Sequence, residues 1–114
     1  MQIKVSNNPK IEKHPGCVAE ALSIVGNKWT ALIVMELSSG CMRFSTLEKK
    51  LAGISPRTLS QRLDELEQKM IITKKCFAEV PPRVEYTLTN KGKDLTPMLK
   101  SMAAWGDKYH GGRS

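Results

Sequence analysis

The sequence predicts a mainly helical α+β domain with one small β-hairpin, and three observations carry that expectation. Apolar residues recur at helical spacing through most of the chain from Val18 onward. Two short runs with strand character, Ile71 to Phe77 and Arg83 to Leu88, flank a turn that holds Pro81 and Pro82. The length of 114 residues suits one domain with one core.

Residues 1–16 mix charge, asparagine, Pro15 and Gly16 without apolar periodicity, so they read as a flexible arm ahead of a domain over 17–110, with 111–114 as a tail. Val18, Ala21, Leu22 and Val25 share a helix face, and Gly26 supplies the stop. Lys28 to Leu37 is apolar almost all round, which predicts a buried central helix. Ser38, Ser39 and Gly40 break it, and Cys41 to Phe44 reads as a short extended piece. Ser45 and Glu48 then fit a capping box, in which each side chain satisfies the other residue's backbone donor, so a third helix is expected to open at Ser45 and close at Gly53. The following helix is the best specified. Ser55 suits its N-cap, Pro56 its first position, and Ile54 packs on Leu59 as a hydrophobic staple; it should run to about Lys69. After the hairpin, Thr89 is expected to cap a last helix kinked at Pro97. Leu95, Leu99 and Met102 form one stripe of that helix, and Met98, Trp105 and Tyr109 a neighbouring one.

Lys and Arg total 18 against 11 Asp and Glu, a formal charge of +7, which favours an anionic partner: nucleic acid first, an acidic membrane surface second. The densest apolar stretch, Ala31 to Met35, is far too short to span a bilayer or act as a signal core, so a cytoplasmic protein is expected. Three cysteines, Cys17, Cys41 and Cys76, do not make a disulfide framework in that compartment. Together with His14 and His110 they lack metal-ligand spacing, and neither histidine stands where it would activate a thiol, so no metal, no cofactor and no catalysis are expected.

Helical spacing puts Leu59, Leu63, Leu66 and Met70 on one face and leaves Arg57, Gln61 and Gln68 opposite, flanked by Thr58, Ser60 and Arg62. Arg pairs with guanine and Gln with adenine in the major groove, while Ser and Thr hydroxyls reach phosphates or base edges. Asp64, Glu65 and Glu67 would be repelled by phosphate, so only the N-terminal half of this helix suits DNA. Helix, turn with Gly53, capped helix and hairpin in series are the parts of a winged helix-turn-helix with a two-stranded wing. In that wing Arg83 either contacts phosphate or the minor groove, or pairs with Glu79 or Glu85. Lys74, Lys75, Lys91 and Lys93 add nonspecific attraction.

The cysteine before the first helix, Gly26-Asn27-Lys28-Trp29-Thr30, Arg43-Phe44, the run Gly53 to Leu63 and the run Pro81 to Thr89 together resemble the HxlR family of winged helix-turn-helix regulators, relatives of the MarR type. The resemblance extends from about Cys17 to Gly106. It implies a homodimer joined through flanking first and last helices that binds an inverted repeat in double-stranded DNA. Met98, Met102, Trp105 and Tyr109 offer an apolar surface consistent with such a dimer interface. Several family members sense oxidants, quinones or aldehydes through a cysteine at the place of Cys17. Lys13, His14 and the helix start favour its thiolate here, although Val18 stands where the family often has proline. Cys41 and Cys76 read as structural. The alternative to a DNA reader is a winged-helix module that binds protein or RNA.

Overall fold

A computed structural model describes residues 17–110; the expected arm and tail, with Lys13 and His14, lie outside the described residues. The chain order is α1 (Val18–Val25), α2 (Lys28–Leu37), β1 (Met42–Arg43), α3 (Phe44–Lys50), α4 (Pro56–Gln68), β2 (Ile72–Phe77), β3 (Arg83–Leu88), α5 (Asn90–Lys93) and α6 (Thr96–His110). The sheet is antiparallel with order β1-β3-β2, so the expected two-stranded wing gains a short third strand on its inner side.

α2 is the hub, packing on α1, α3, α4, α6 and β3. Its start is set by Asn27, whose side chain accepts from the Trp29 and Thr30 amides at 2.9 and 3.1 Å. Thr30, the buried polar residue of the core, donates its hydroxyl to the Ile24 carbonyl and so ties α2 to the end of α1. Ile33 and Val34 are wholly buried with Leu47, Leu59, Leu63, Leu66, Ile71 and Ile72, whereas Leu32 stays exposed: α2 buries one face, not its whole circumference.

Four expectations need correction. α3 opens at Phe44 with Arg43 as its cap, because pairing of β1 with β3 carries the chain extended to Arg43 and Phe44 then turns in against the core. Ser45 is thus inside the helix and the capping box with Glu48 does not form. The last helix is two helices: Thr89 caps α5, accepting from the Gly92 amide, and the chain breaks at Asp94–Leu95 before α6. Pro97 sits in the first turn of α6, where its missing donor has no intrahelical acceptor, and makes no kink. Leu99 is fully buried, while Met102 is exposed beside Met98, as an apolar surface on this helix requires.

The fourth correction is Met70, which leaves the leucine face and is exposed at φ +62. It occupies the left-handed position after α4. The Ile71 amide bonds the Leu66 carbonyl at 2.9 Å and the Met70 amide the Glu67 carbonyl at 3.0 Å, the pair of bonds of a Schellman motif usually built on glycine.

Glycine matters at two places. Gly53 adopts φ +94 in the turn between α3 and α4, a region that costs a side chain about 1–2 kcal/mol. Gly92 lets α5 lie directly on the end of α4: a β-carbon there would overlap the Ile71 carbonyl oxygen and press on Leu88. Gly92→Ala is expected to lower stability by about 1–3 kcal/mol, because backbone must yield. Urea unfolding at fixed protein concentration checks this, and an unchanged midpoint would contradict the close approach.

Candidate nucleic-acid interface

α4 is held at its start, along one face and at its end. Ser55 accepts from the Thr58 amide at 3.0 Å, and Pro56 occupies the first turn. Ile54 and Leu59 are both in the buried core, as a staple requires. Leu59, Leu63 and Leu66 are at most 1% exposed, and through them α4 packs on α2 and β2. At the far end Lys91 donates from Nζ to the Lys69 carbonyl at 2.9 Å and Thr89 donates from Oγ1 to the Met70 carbonyl at 2.6 Å. These bonds satisfy carbonyls that a helix end otherwise leaves open.

The opposite face carries the residues singled out for base contact. Arg57, Ser60, Gln61 and Gln68 are exposed, and Arg57 pairs with no carboxylate among the described residues. Thr58 is half-buried, with its hydroxyl oxygen accepting from Ser55 at 2.9 Å, which leaves its own proton free to donate. Arg62 is drawn along the helix to Glu65, 3.1 Å away, and so is partly neutralised. Asp64 is exposed in the second half of the helix, so the free positive charge lies at the first turn, where the helix dipole is also positive. Tyr86, on β3, is buried; burial first, then the nearby Asp64 and Glu67 carboxylates, push its phenol above the ordinary range and keep it neutral.

In the wing, Arg83 pairs with both carboxylates that the sequence offered it. Its Nη1 lies 3.0 Å from Glu79 Oε2 and its Nε 3.2 Å from Glu85 Oε2, both ion pairs without hydrogen-bond alignment. Its guanidinium stacks 4.0 Å over the Phe77 ring. Lys74 and Lys75 are exposed on β2. Arg43, exposed at the start of α3, was missed by pattern reading; with Ser45 it shares a cleft with Arg83. In the sequence it was marked by the Arg43-Phe44 pair that shares in the family resemblance.

Away from α4, Cys17 is exposed at the N-cap of α1 and makes no capping bond. It lines a small cleft with Glu20, Ala21, Ile24, Ile71, Lys91 and Leu95. Cys41 and Cys76 are also exposed, which overturns the expectation that they are packing residues; Cys41 donates weakly to Glu85 Oε1 at 3.5 Å. On α6, Met98, Met102, Trp105 and Tyr109 are 38, 49, 68 and 66% exposed, and Val18 and Leu22 of α1 are each 55% exposed. No single described helix is long and apolar enough to cross a membrane.

A helix-turn-helix followed by a hairpin wing, with a polar helix face flanked by basic residues, defines the class of winged-helix transcriptional regulators. The model of the HxlR-like helix-turn-helix family matches residues 24–113. The chain therefore belongs to the HxlR family and is a transcriptional regulator of HxlR and MarR type. It is 40% identical over 101 residues to the HTH-type transcriptional regulator YvaP of Bacillus subtilis, covering 89% of this chain and 87% of that protein. YodB of the same organism is 38% identical over 89 residues, covering 78% and 80%. Among solved structures, the redox regulator HypR in its oxidized form superposes with a TM-score of 0.76 at 33% identity, covering 80% of this chain and 94% of that one. The reduced form of YodB superposes with a TM-score of 0.74 at 36% identity, covering 84% and 96%. Family and relatives are regulators, and none indicates a catalytic function.

Proposed function

We propose that the chain binds double-stranded DNA as a cytoplasmic homodimer, inserting the N-terminal half of α4 into the major groove. The single observation that carries this is the first two turns of α4, where exposed Arg57, Ser60 and Gln61 stand on a helix whose rotation is locked by three buried leucines. Arg57 and Gln61 are the base readers, and Thr58, Ser60 and Arg62 flank them with backbone or base-edge contacts. A module that binds protein or RNA is the competing reading; salt-dependent binding to random duplex, tighter on an operator, separates the two. On the operator, Arg57→Ala or Gln61→Ala is expected to cost about 1–3 kcal/mol and to relax sequence preference at one position. Quantitative gel shifts on single-base operator variants measure this, and an unaffected, folded double variant would remove α4 as the reader.

Dimerisation is supported by the exposed apolar residues of α1 and α6; on α6, Met98, Met102 and Trp105 line one apolar groove, and the Trp105 and Tyr109 ring centroids are 5.2 Å apart. Two α4 helices related by a two-fold axis would meet successive major grooves, so the operator is an inverted repeat with half-sites about 10 bp apart. Met102→Glu, which places charge in the patch, should convert a dimer to a folded monomer in sedimentation. A wild-type monomer at micromolar concentration would count against the assembly.

Cys17 is the proposed sensor of oxidants or electrophiles. Its support is an exposed thiol at a helix start on the apolar α1–α6 side, and the description of HypR as a redox regulator. An adduct or intersubunit disulfide there would tilt α1 against the partner's α6 and change the spacing of the two α4 helices. Operator affinity should fall after diamide and recover with thiol reagent in the wild type, and stay constant in Cys17→Ser. An equal response in both proteins, or none in a wild type shown to be modified at Cys17, would remove Cys17 as the sensor.

A further inference from the structure

The cleft between the start of α3 and the wing is separate from the exposed face of α4. It is about 310 Å³ in volume and is lined by Arg43, Phe44, Ser45, Pro82, Arg83 and Val84. Two arginines therefore border one opening, but their surroundings differ. Arg43 is exposed and pairs with no carboxylate among the described residues, whereas Arg83 is 24% exposed and held by two. The two carboxylates are not equivalent. Glu85 is fixed in β3, opposite Arg43 in the strand register, and its side chain is 25% exposed. Glu79 belongs to the turn, its side chain is 46% exposed, and it takes the Nη1 edge of Arg83.

Arg43 is open to an anion as it stands, whereas Arg83 can take one only when a carboxylate is displaced. Glu79 is the one free to leave. A partly exposed ion pair of this kind is weak. A phosphate oxygen offers the same guanidinium edge a charge-assisted bond. Phe77 and Glu85 keep Arg83 oriented during such an exchange, since the ring lies beneath the guanidinium and Glu85 stays at Nε. The tip beyond, Ala78 to Pro82, has no cation of its own, so Arg83 and Lys75, whose ammonium also lies over the Phe77 ring at 5.5 Å, are the positive charges nearest to it on the hairpin.

We propose that this cleft is a backbone-phosphate subsite for duplex DNA, in which Arg43 and Arg83 hold one phosphodiester and Glu79 competes with it for Arg83. Glu79 thereby sets the affinity of the wing for any DNA sequence. The proposal rests on the reading that α4 enters a DNA groove, and it adds a sequence-independent contact with a built-in competitor.

The test is anisotropy of a random-sequence duplex against salt for wild type, Glu79→Gln, Arg83→Gln, the double variant and Arg43→Gln, each checked for folding by thermal unfolding. Glu79→Gln should tighten binding about three- to tenfold and make the salt slope steeper by up to about 0.9, one phosphate's worth. Arg43→Gln should weaken binding and flatten the slope. In the Arg83→Gln background the gain from Glu79→Gln should shrink to below about twofold, the residue of long-range charge alone. Should Arg83→Gln loosen the wing, Arg83→Lys, which keeps charge without the planar fork, is expected to retain part of the gain. Equal tightening with and without Arg83, or salt-dependent binding indifferent to Glu79, overturns the subsite alone. A wild-type protein that does not bind duplex DNA overturns it together with the DNA reading.

Discussion

Leu59, Leu63 and Leu66 are taken out of water where α4 meets α2 and β2, and their spacing of four and three residues fixes the rotation of the helix as well as its position. One residue of rotation is about 100°, enough to carry a leucine to the surface and Arg57 or Gln61 toward the core. Burying such a polar side chain without partners costs more than the contact could return, so Arg57 and Gln61 are held on the outer face. The first turn is pre-shaped by Ser55 and Pro56, and its free charge is positive because the acidic residues fall later, with Glu65 bound to Arg62.

The end of α4 is joined to the rest of the chain by polar contacts instead. Thr89 and Lys91 reach its last carbonyls from α5, and Gly92 permits that approach. α5 leads within two residues to α6, whose outer side is apolar and exposed. The cleft at Cys17 is bordered by the same Lys91 and by Ile71, whose amide closes the end of α4. A shift at the α1–α6 side thus has a short, packed route to the helix proposed to read DNA, and this gives the sensing proposal a mechanical basis.

Where the sequence carried a local chemical signal, the elements were legible. Ser55 and Thr89 act as caps, Pro56 opens α4, and the hairpin strands flank the two prolines as expected. At two places a tertiary contact outranked a local pattern. β1 pairing moved the start of α3 ahead of Ser45, and α5 docking on Ile71 interrupted the last helix before Pro97. Met70 was misread because the left-handed position after α4 is filled by methionine where glycine would have announced it. Of the site, the face of α4 was legible from periodicity. The pairing of Arg83 with Glu79 or Glu85 was one of two readings the sequence left open; that both carboxylates hold it at once, and that Arg43 stands beside it, was not legible, since the pairing of β1 with β3 sets Arg43 opposite Glu85.

The central claim is that DNA meets the first two turns of α4. The direct measurement is an amide-resolved NMR titration of the isotope-labelled protein with a short duplex carrying its selected site. The account predicts that the largest shifts fall between Ser55 and Arg62, with smaller ones at Arg43 and in the wing, and that Gln68 and the exposed face of α6 stay unmoved. Saturable shifts centred on α6, or on the C-terminal half of α4, would contradict it.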